Sequence, residues 1–95
     1  MPEMLFRIRW PDGEAETCYS PSLIVKDHLT LGATYAVDDF RRRCRAALLI
    51  ASDRVNAKYG FACSRALGQL SRIEEACAKF ADQRDAAVRV EAFEE

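Results

Sequence analysis

Residues 4–20 read MLFRIRWPDGEAETCYS, and how this stretch folds decides the rest of the chain. Met4, Phe6, Ile8 and Trp10 alternate with Leu5, Arg7 and Arg9, in residue types that favour extended backbone. Such alternation marks a half-buried strand. Asp12-Gly13 is a strong hairpin signal, because a two-residue type I′ turn needs positive φ at both central positions. A two-residue loop would oppose Trp10 to Ala15, Ile8 to Thr17 and Phe6 to Tyr19 on a core face, and Arg9 to Glu16 and Arg7 to Cys18 on a wet face. That register pairs apolar groups on one side and opposite charges on the other.

The following residues, SPSLIVKDHL (20–29), suit a short helix with Ser20 as cap and Pro21 at the first helical position, ending near Gly32. From Asp38, apolar residues recur at Phe40, Cys44, Ala47, Leu48, Ala51 and Val55, a spacing that forms a single stripe only on a helix. Asp38 and Asp39 suit the start of this longest helix, Lys58 its end, and Gly60 its left-handed stop. A second long helix begins at Cys63 or Ser64, with the stripe Cys63, Ala66, Leu67, Leu70, Ile73, Cys77, Phe80 and Ala81. AAVRVEAF (86–93) alternates again and reads as a third strand.

The expected fold is therefore α+β: a small three-stranded sheet packed on one face by two long helices and one short one. Its hairpin and C-terminal strand would lie in the order 2-1-3, all within one domain spanning residues 1–95.

Composition narrows the function classes. The 95 residues carry 14 Lys and Arg against 15 Asp and Glu, a formal net charge of −1. With no global basic field, polyanions such as nucleic acid or an anionic membrane surface are not the expected partners. No apolar run approaches membrane-spanning length, which points to a soluble cytoplasmic protein. Four cysteines, Cys18, Cys44, Cys63 and Cys77, are too scattered for C-x-x-C patterns, and in a reducing compartment they read as thiols. With His28 the single histidine, neither a metal site nor a cofactor is expected. No spacing joins His28 to a nucleophile, so no catalytic set can be assigned.

Three places stand out. KYGFACSRALGQL (58–70) groups Lys58, Cys63, Ser64 and Arg65 where a helix begins; cations and free N–H groups there would hold a thiolate or a small anion, whereas the plainer reading is a helix–helix corner with Cys63 turned inward. Cys18, placed beside Arg7 by the register above, is a second candidate thiol, while Cys44 and Cys77 fall on core stripes. In DDFRRRCRAALLIASDR (38–54) the arginines spread around the helix, but Leu49 lies opposite the core stripe with Ile50 on its flank. If a protein partner or a second copy docks on this helix, Leu49 and Ile50 rimmed by Arg42 and Arg43 are the expected contacts.

FRIRWPDG (6–13), ETCYSPS (16–22), ASDRVNAKYGFACSRALGQL (51–70) and IEEACAKF (73–80) together resemble a family of small bacterial nitrogen starvation response proteins. The resemblance implies an accessory protein encoded in nitrilase gene clusters, beside a radical-SAM protein, an acetyltransferase-like protein and a flavin-dependent oxidoreductase. It brings no catalytic residues. Taken together, the expected role is that of a non-catalytic accessory or interaction protein in nitrogen metabolism; the alternative is a small cysteine- and arginine-based enzyme or binding module for an anionic, nitrogen-containing metabolite.

Overall fold

Pro11, rather than the Asp-Gly pair, sets the hairpin. In the computed structural model, which describes residues 3–95, β1 (Met4–Arg9) and β2 (Ala15–Ser20) are antiparallel. The ring of Pro11 fixes its φ near the value that the second position of a common β-turn requires. The Gly13 N–H accordingly donates to the Trp10 carbonyl at 2.9 Å, and the Trp10 N–H to the Glu14 carbonyl at 2.8 Å. Gly13, at φ 90°, supplies the left-handed residue that closes a three-residue loop. The register is thus one residue away from the two-residue expectation: Arg9 opposes Ala15, Arg7 opposes Thr17, Phe6 opposes Cys18 and Met4 opposes Ser20. Because side chains alternate with period two, this slip carries Cys18 and Ser20 to the core face and removes the expected Arg9–Glu16 and Arg7–Cys18 pairs.

A bend at Ser20–Ser22 leads out of the hairpin. Ser20 Oγ donates to the Ser22 carbonyl at 2.7 Å, and Ser22 Oγ accepts the Ile24 N–H at 3.3 Å. Helix α1 is only Val25–His28; it begins later than the Ser20-Pro21 signal suggested and stops at the extended Leu29 instead of running to Gly32. Gly32, at φ 82°, turns the chain into β3 (Thr34–Ala36), a three-residue strand that passes straight into α2 (Val37–Tyr59). Gly60 closes α2 as expected, at φ 83° with its N–H on the Asn56 carbonyl at 2.8 Å. Helix α3 (Ser64–Ala78) returns along α2, and β4 (Ala87–Glu94) completes the sheet.

The sheet has four antiparallel strands in the order β2-β1-β4-β3. The anticipated arrangement of hairpin and last strand forms three of them, and β3 adds an edge strand that the sequence reading lacked. Pairing between β1 and β4 shifts between Arg7 and Ile8, so that Arg7 faces Ala92 and Ile8 faces Val90, skipping Glu91. This bulge resolves a conflict in the strand. Strict alternation would put Phe93 on the face opposite Val88 and Val90; one inserted residue lets all three reach the core, with Phe93 opposite Phe6.

The helices cover one face of the sheet. Phe40, Cys44, Ala47 and Leu48 of α2 and Leu70, Ile73 and Cys77 of α3 form one core with Phe6, Ile8, Val88 and Val90, and Ala51 and Ala66 are buried as well. Leu67 does not join them: it is 40% exposed, because it lies on the flank of the stripe centred on Ala66, Leu70, Ile73 and Cys77. Each fully buried large side chain contributes about 1.5–3 kcal/mol, whereas exposed ion pairs such as Arg42–Asp38 and Arg45–Glu74 are screened by water and contribute little. Apolar burial therefore dominates stability. Among the described residues, no helix is long and apolar enough to cross a membrane.

Candidate functional site, an aromatic corner between the two long helices

The turn from α2 to α3 is built by backbone needs and leaves its side chains outside. Gly60 ends one helix, and the Cys63 N–H donates to the buried Ser52 hydroxyl of α2 at 3.1 Å, which fixes where the next begins. Cys63 is the N-cap position without a side-chain cap, and Ser64 is the first, exposed residue of α3. Between these anchors Tyr59 and Phe61 project into solvent, 55% and 65% exposed, with ring centroids 6.3 Å apart. Beside them lies a groove of about 320 Å³ lined by Glu3, Tyr19, Pro21, Val55, Tyr59, Phe61 and Cys63.

Charges frame this groove. The Arg65 guanidinium stacks 3.8 Å from the Tyr19 ring centroid, and Lys58 Nζ lies 5.4 Å from that of Tyr59. Tyr19 donates its hydroxyl to Glu3 Oε2 at 3.1 Å. Burial, then the hydrogen bond and charge of Glu3, push the Tyr19 phenol up, with Arg65 pulling against them. Lys58, Cys63, Ser64 and Arg65 thus lie at one corner, as their spacing suggested. Tyr59 and Phe61 were within the same stretch, yet only their exposure marks them; Tyr19, Pro21 and Glu3 arrive from the other end of the chain with no local signal.

The other candidates are distributed differently. Cys18 is fully buried, and burial drives its thiol up to about 12. Arg7 occupies the opposite sheet face across from Thr17, so the expected pairing of that thiol with that cation does not exist. Cys44 and Cys77 are core thiols as read from their stripes, also raised mainly by burial. His28 ends α1, and its carbonyl accepts a hydrogen bond from Arg43 Nη1 at 3.0 Å. Leu49 and Ile50 are each 37% exposed on the outer face of α2. Their expected arginine rim is committed elsewhere: Arg42 pairs with Asp38 at 2.9 Å, while Arg43 pairs with Asp39 at 3.0 Å and stacks on Tyr35. Among the described residues, no group of three or more His, Cys, Asp or Glu is placed to hold a metal ion.

A separate cleft of about 470 Å³ runs between the start of α2 and the end of α3. Arg41 in it is held by Asp38 at 2.9 Å and Glu74 at 3.6 Å, and with Arg84 the lining has two cations to two carboxylates. The corner offers more: exposed aromatic faces, cations stacked on rings, and a half-buried thiol. One thiol per native chain, Cys63, is expected to react with an aromatic disulfide reagent at neutral pH, the other three reacting only on unfolding. Mass mapping of the labelled cysteine checks this; rapid native labelling of Cys18 or Cys44 would contradict the buried placement.

Neither the curated proteins nor the solved structures provide a match to this chain. One family model does match it, over residues 5–93, and carries the description nitrogen starvation-induced protein NitG. That span runs from β1 to Phe93 of β4 and takes in both long helices and the turn between them, so the chain belongs to the NitG family of nitrogen starvation-induced proteins.

Proposed function

We propose that this is a small, non-catalytic accessory protein of bacterial nitrogen metabolism, cytoplasmic and nitrile-related, which docks through its aromatic corner onto an enzyme encoded in a nitrilase-containing gene cluster. The observation that carries the reading is the pair Tyr59 and Phe61, more than half exposed at the rim of an apolar groove. Large aromatic side chains held in solvent are a cost to an isolated protein and are enriched at the energetic centres of interfaces. Membership of a family of nitrogen starvation-induced proteins supports the link to nitrogen metabolism. The exposed Leu49 and Ile50 offer a second contact, suited to a homodimer along α2.

The test uses affinity capture from nitrogen-limited cells together with light scattering after size exclusion. Phe61→Asp is expected to keep its stability within about 0.5 kcal/mol, as a change at an exposed site, and to lose capture of the pathway enzyme by tenfold or more, in line with hot-spot truncations of about 2 kcal/mol. Leu49→Arg should leave that capture intact, and should abolish a dimer if the α2 face forms one. A strictly monomeric wild type that enriches no pathway enzyme, or a Phe61→Asp variant that captures as well as wild type, overturns the reading.

The alternative, a binding module or small enzyme for an anionic nitrogen-containing metabolite, has one observation in its favour. Cys63 lines the same groove that Arg65 and Lys58 flank. Protection of the Cys63 thiol by a small carboxylated or phosphorylated metabolite, without any protein partner, would favour it over docking.

A further inference from the structure

The sheet has a second face, and its charges do not balance. Helices cover the side of Phe6, Ile8 and Val90, leaving Arg7 and Arg9 of β1 and Arg89 of β4 on the open side. Arg9 and Arg89 stand directly opposite each other across the strand pair. Like charges so placed are unfavourable unless something compensates them. The compensation present is Glu91, the residue displaced by the bulge. It accepts Arg9 Nε at 2.9 Å and Nη2 at 3.3 Å, so that its two oxygens are engaged by one guanidinium fork. Arg9 is fully occupied, since its Nη1 also donates to the Gly13 carbonyl at 2.6 Å.

Arg7 is left at 3.7 Å from the same carboxylate, 53% exposed. Together Arg9, Arg7 and Arg89 hold the Glu91 carboxyl below its usual range, the hydrogen bond from Arg9 being the largest cause. Glu94, opposite Leu5, stands two residue pairs beyond the Arg7–Ala92 position. The cluster also lies in a shallow, open depression. The turn at Leu31–Gly32, tied to β4 by the Gly32 N–H on the Val90 carbonyl at 2.8 Å, raises a rim beside it. The resulting pocket of about 340 Å³ is lined by Arg7, Arg9, Leu31, Gly32, Arg89, Val90 and Glu91, three guanidinium groups to one carboxylate.

We propose that this pocket is a binding site for a small, doubly charged oxyanion, of the phosphate monoester or dicarboxylate class, held by Arg7 and Arg89, with Arg9 neutralised by Glu91. The excess of positive charge matches a dianion, the forked donors match planar or tetrahedral oxyanions, and the volume suits a small molecule rather than a chain segment. The site is remote in function from the aromatic corner, which lies against the other end of β2 and between the helices, and it stands or falls independently of the docking reading.

The experiment is an amide NMR titration of the intact ¹⁵N-labelled protein at constant ionic strength, with sodium phosphate in one series, sodium succinate in a second and sodium chloride as the reference. The expected result is saturable shifts at residues 7, 9, 32 and 89–91 for at least one dianion, with chloride producing none. Arg7→Gln and Arg89→Gln should each weaken binding by about tenfold or more, the scale of one lost charge-assisted contact. Arg45→Gln, which touches only the exposed pair with Glu74, should leave it unchanged. The amide spectra themselves report whether each variant is folded, and Glu91→Gln, which removes the competing carboxylate, should tighten binding. The proposal is overturned by the absence of saturable shifts at either dianion up to about 10 mM, by equal effects of chloride, or by binding confined to a polyanion such as heparin with a steep salt dependence.

Discussion

Trp10→Ala is expected to lower stability by about 3–5 kcal/mol, the range for removing a buried aromatic ring, which is a large part of what a domain of this size possesses. Trp10 is 5% exposed and sits at the junction of three elements. Its ring stacks on Phe80 at 6.1 Å and 17°, just past α3, and meets Phe40 of α2 edge-on at 5.8 Å and 83°. Such pairs add to the area that the ring buries. Its Nε1 also donates to Glu16 Oε1 at 3.0 Å, and the other oxygen of that carboxylate receives Arg72 Nε at 3.0 Å. Truncation would therefore open a cavity where sheet and helices join and leave Glu16 with Arg72 alone. Trp10→Phe, which keeps a six-membered ring but loses the pyrrole half of the indole with its N–H, should cost about 1–3 kcal/mol. Urea denaturation with a common slope measures both; a Trp10→Ala variant within 1 kcal/mol of wild type would mean that the aromatic cluster is not what clamps the hairpin to the helices.

The same residue shows where the sequence could be read and where it could not. The strand of Met4–Arg9, the apolar stripes of α2 and α3 apart from Leu67 and Ala81, and the stop at Gly60 follow from local patterning, and the return of β4 beside β1 from the helical crossover. The hairpin register depends on a competition within four residues, Trp10 to Gly13. Asp-Gly favours a two-residue loop; Pro11 favours the longer one, and its ring constraint prevails. That single residue inverted the faces of Cys18 and Thr17. β3 offers only Thr34-Tyr35-Ala36, too short to alternate visibly, and exists because Val88 and its neighbours need an edge partner. The bulge at Glu91 is likewise a tertiary matter: it answers the demand of Phe93 for the core.

Site legibility divides along the same line. Lys58, Cys63, Ser64 and Arg65 are close in sequence and close in space, so the corner was visible. Its groove also needs Glu3, Tyr19 and Pro21, and the arginine pocket needs residues 7, 9 and 89, which only strand pairing brings together. Arg42 and Arg43 have nearer partners that only the helix supplies, since Asp38 and Asp39 lie one helical turn away and pair with them.

Raising the pH above about 9 is expected to destabilise the protein steeply, and the buried thiols are the cause. Burial, reinforced by Glu16 and opposed by Arg72, moves Cys18 from 9.0 to about 12. Burial likewise raises Cys44 well above 9.0 and Cys77 to about 11. A thiol in this state keeps its proton in the folded chain at pH values where the unfolded chain has released it. Between the unfolded and folded values the native state binds more protons, so stability falls with pH, by about 1.4 kcal/mol per unit for each such thiol. The contribution is fully present below pH 9 and is lost as pH rises through 11 to 12. For Cys18 alone the total is on the order of 4 kcal/mol across that window, comparable with the Trp10 truncation. Urea titrations from about pH 8 to about pH 11 measure the slope, and Cys18→Ala should reduce it by about 1.4 kcal/mol per unit, the share of one thiol, while Cys44 and Cys77 keep theirs. Tyrosine and lysine ionisation is common to both proteins and cancels in the difference. A wild-type stability that stays level over this range, or a slope that Cys18→Ala leaves untouched, would show that the thiols of the core are not held as neutral groups by their burial.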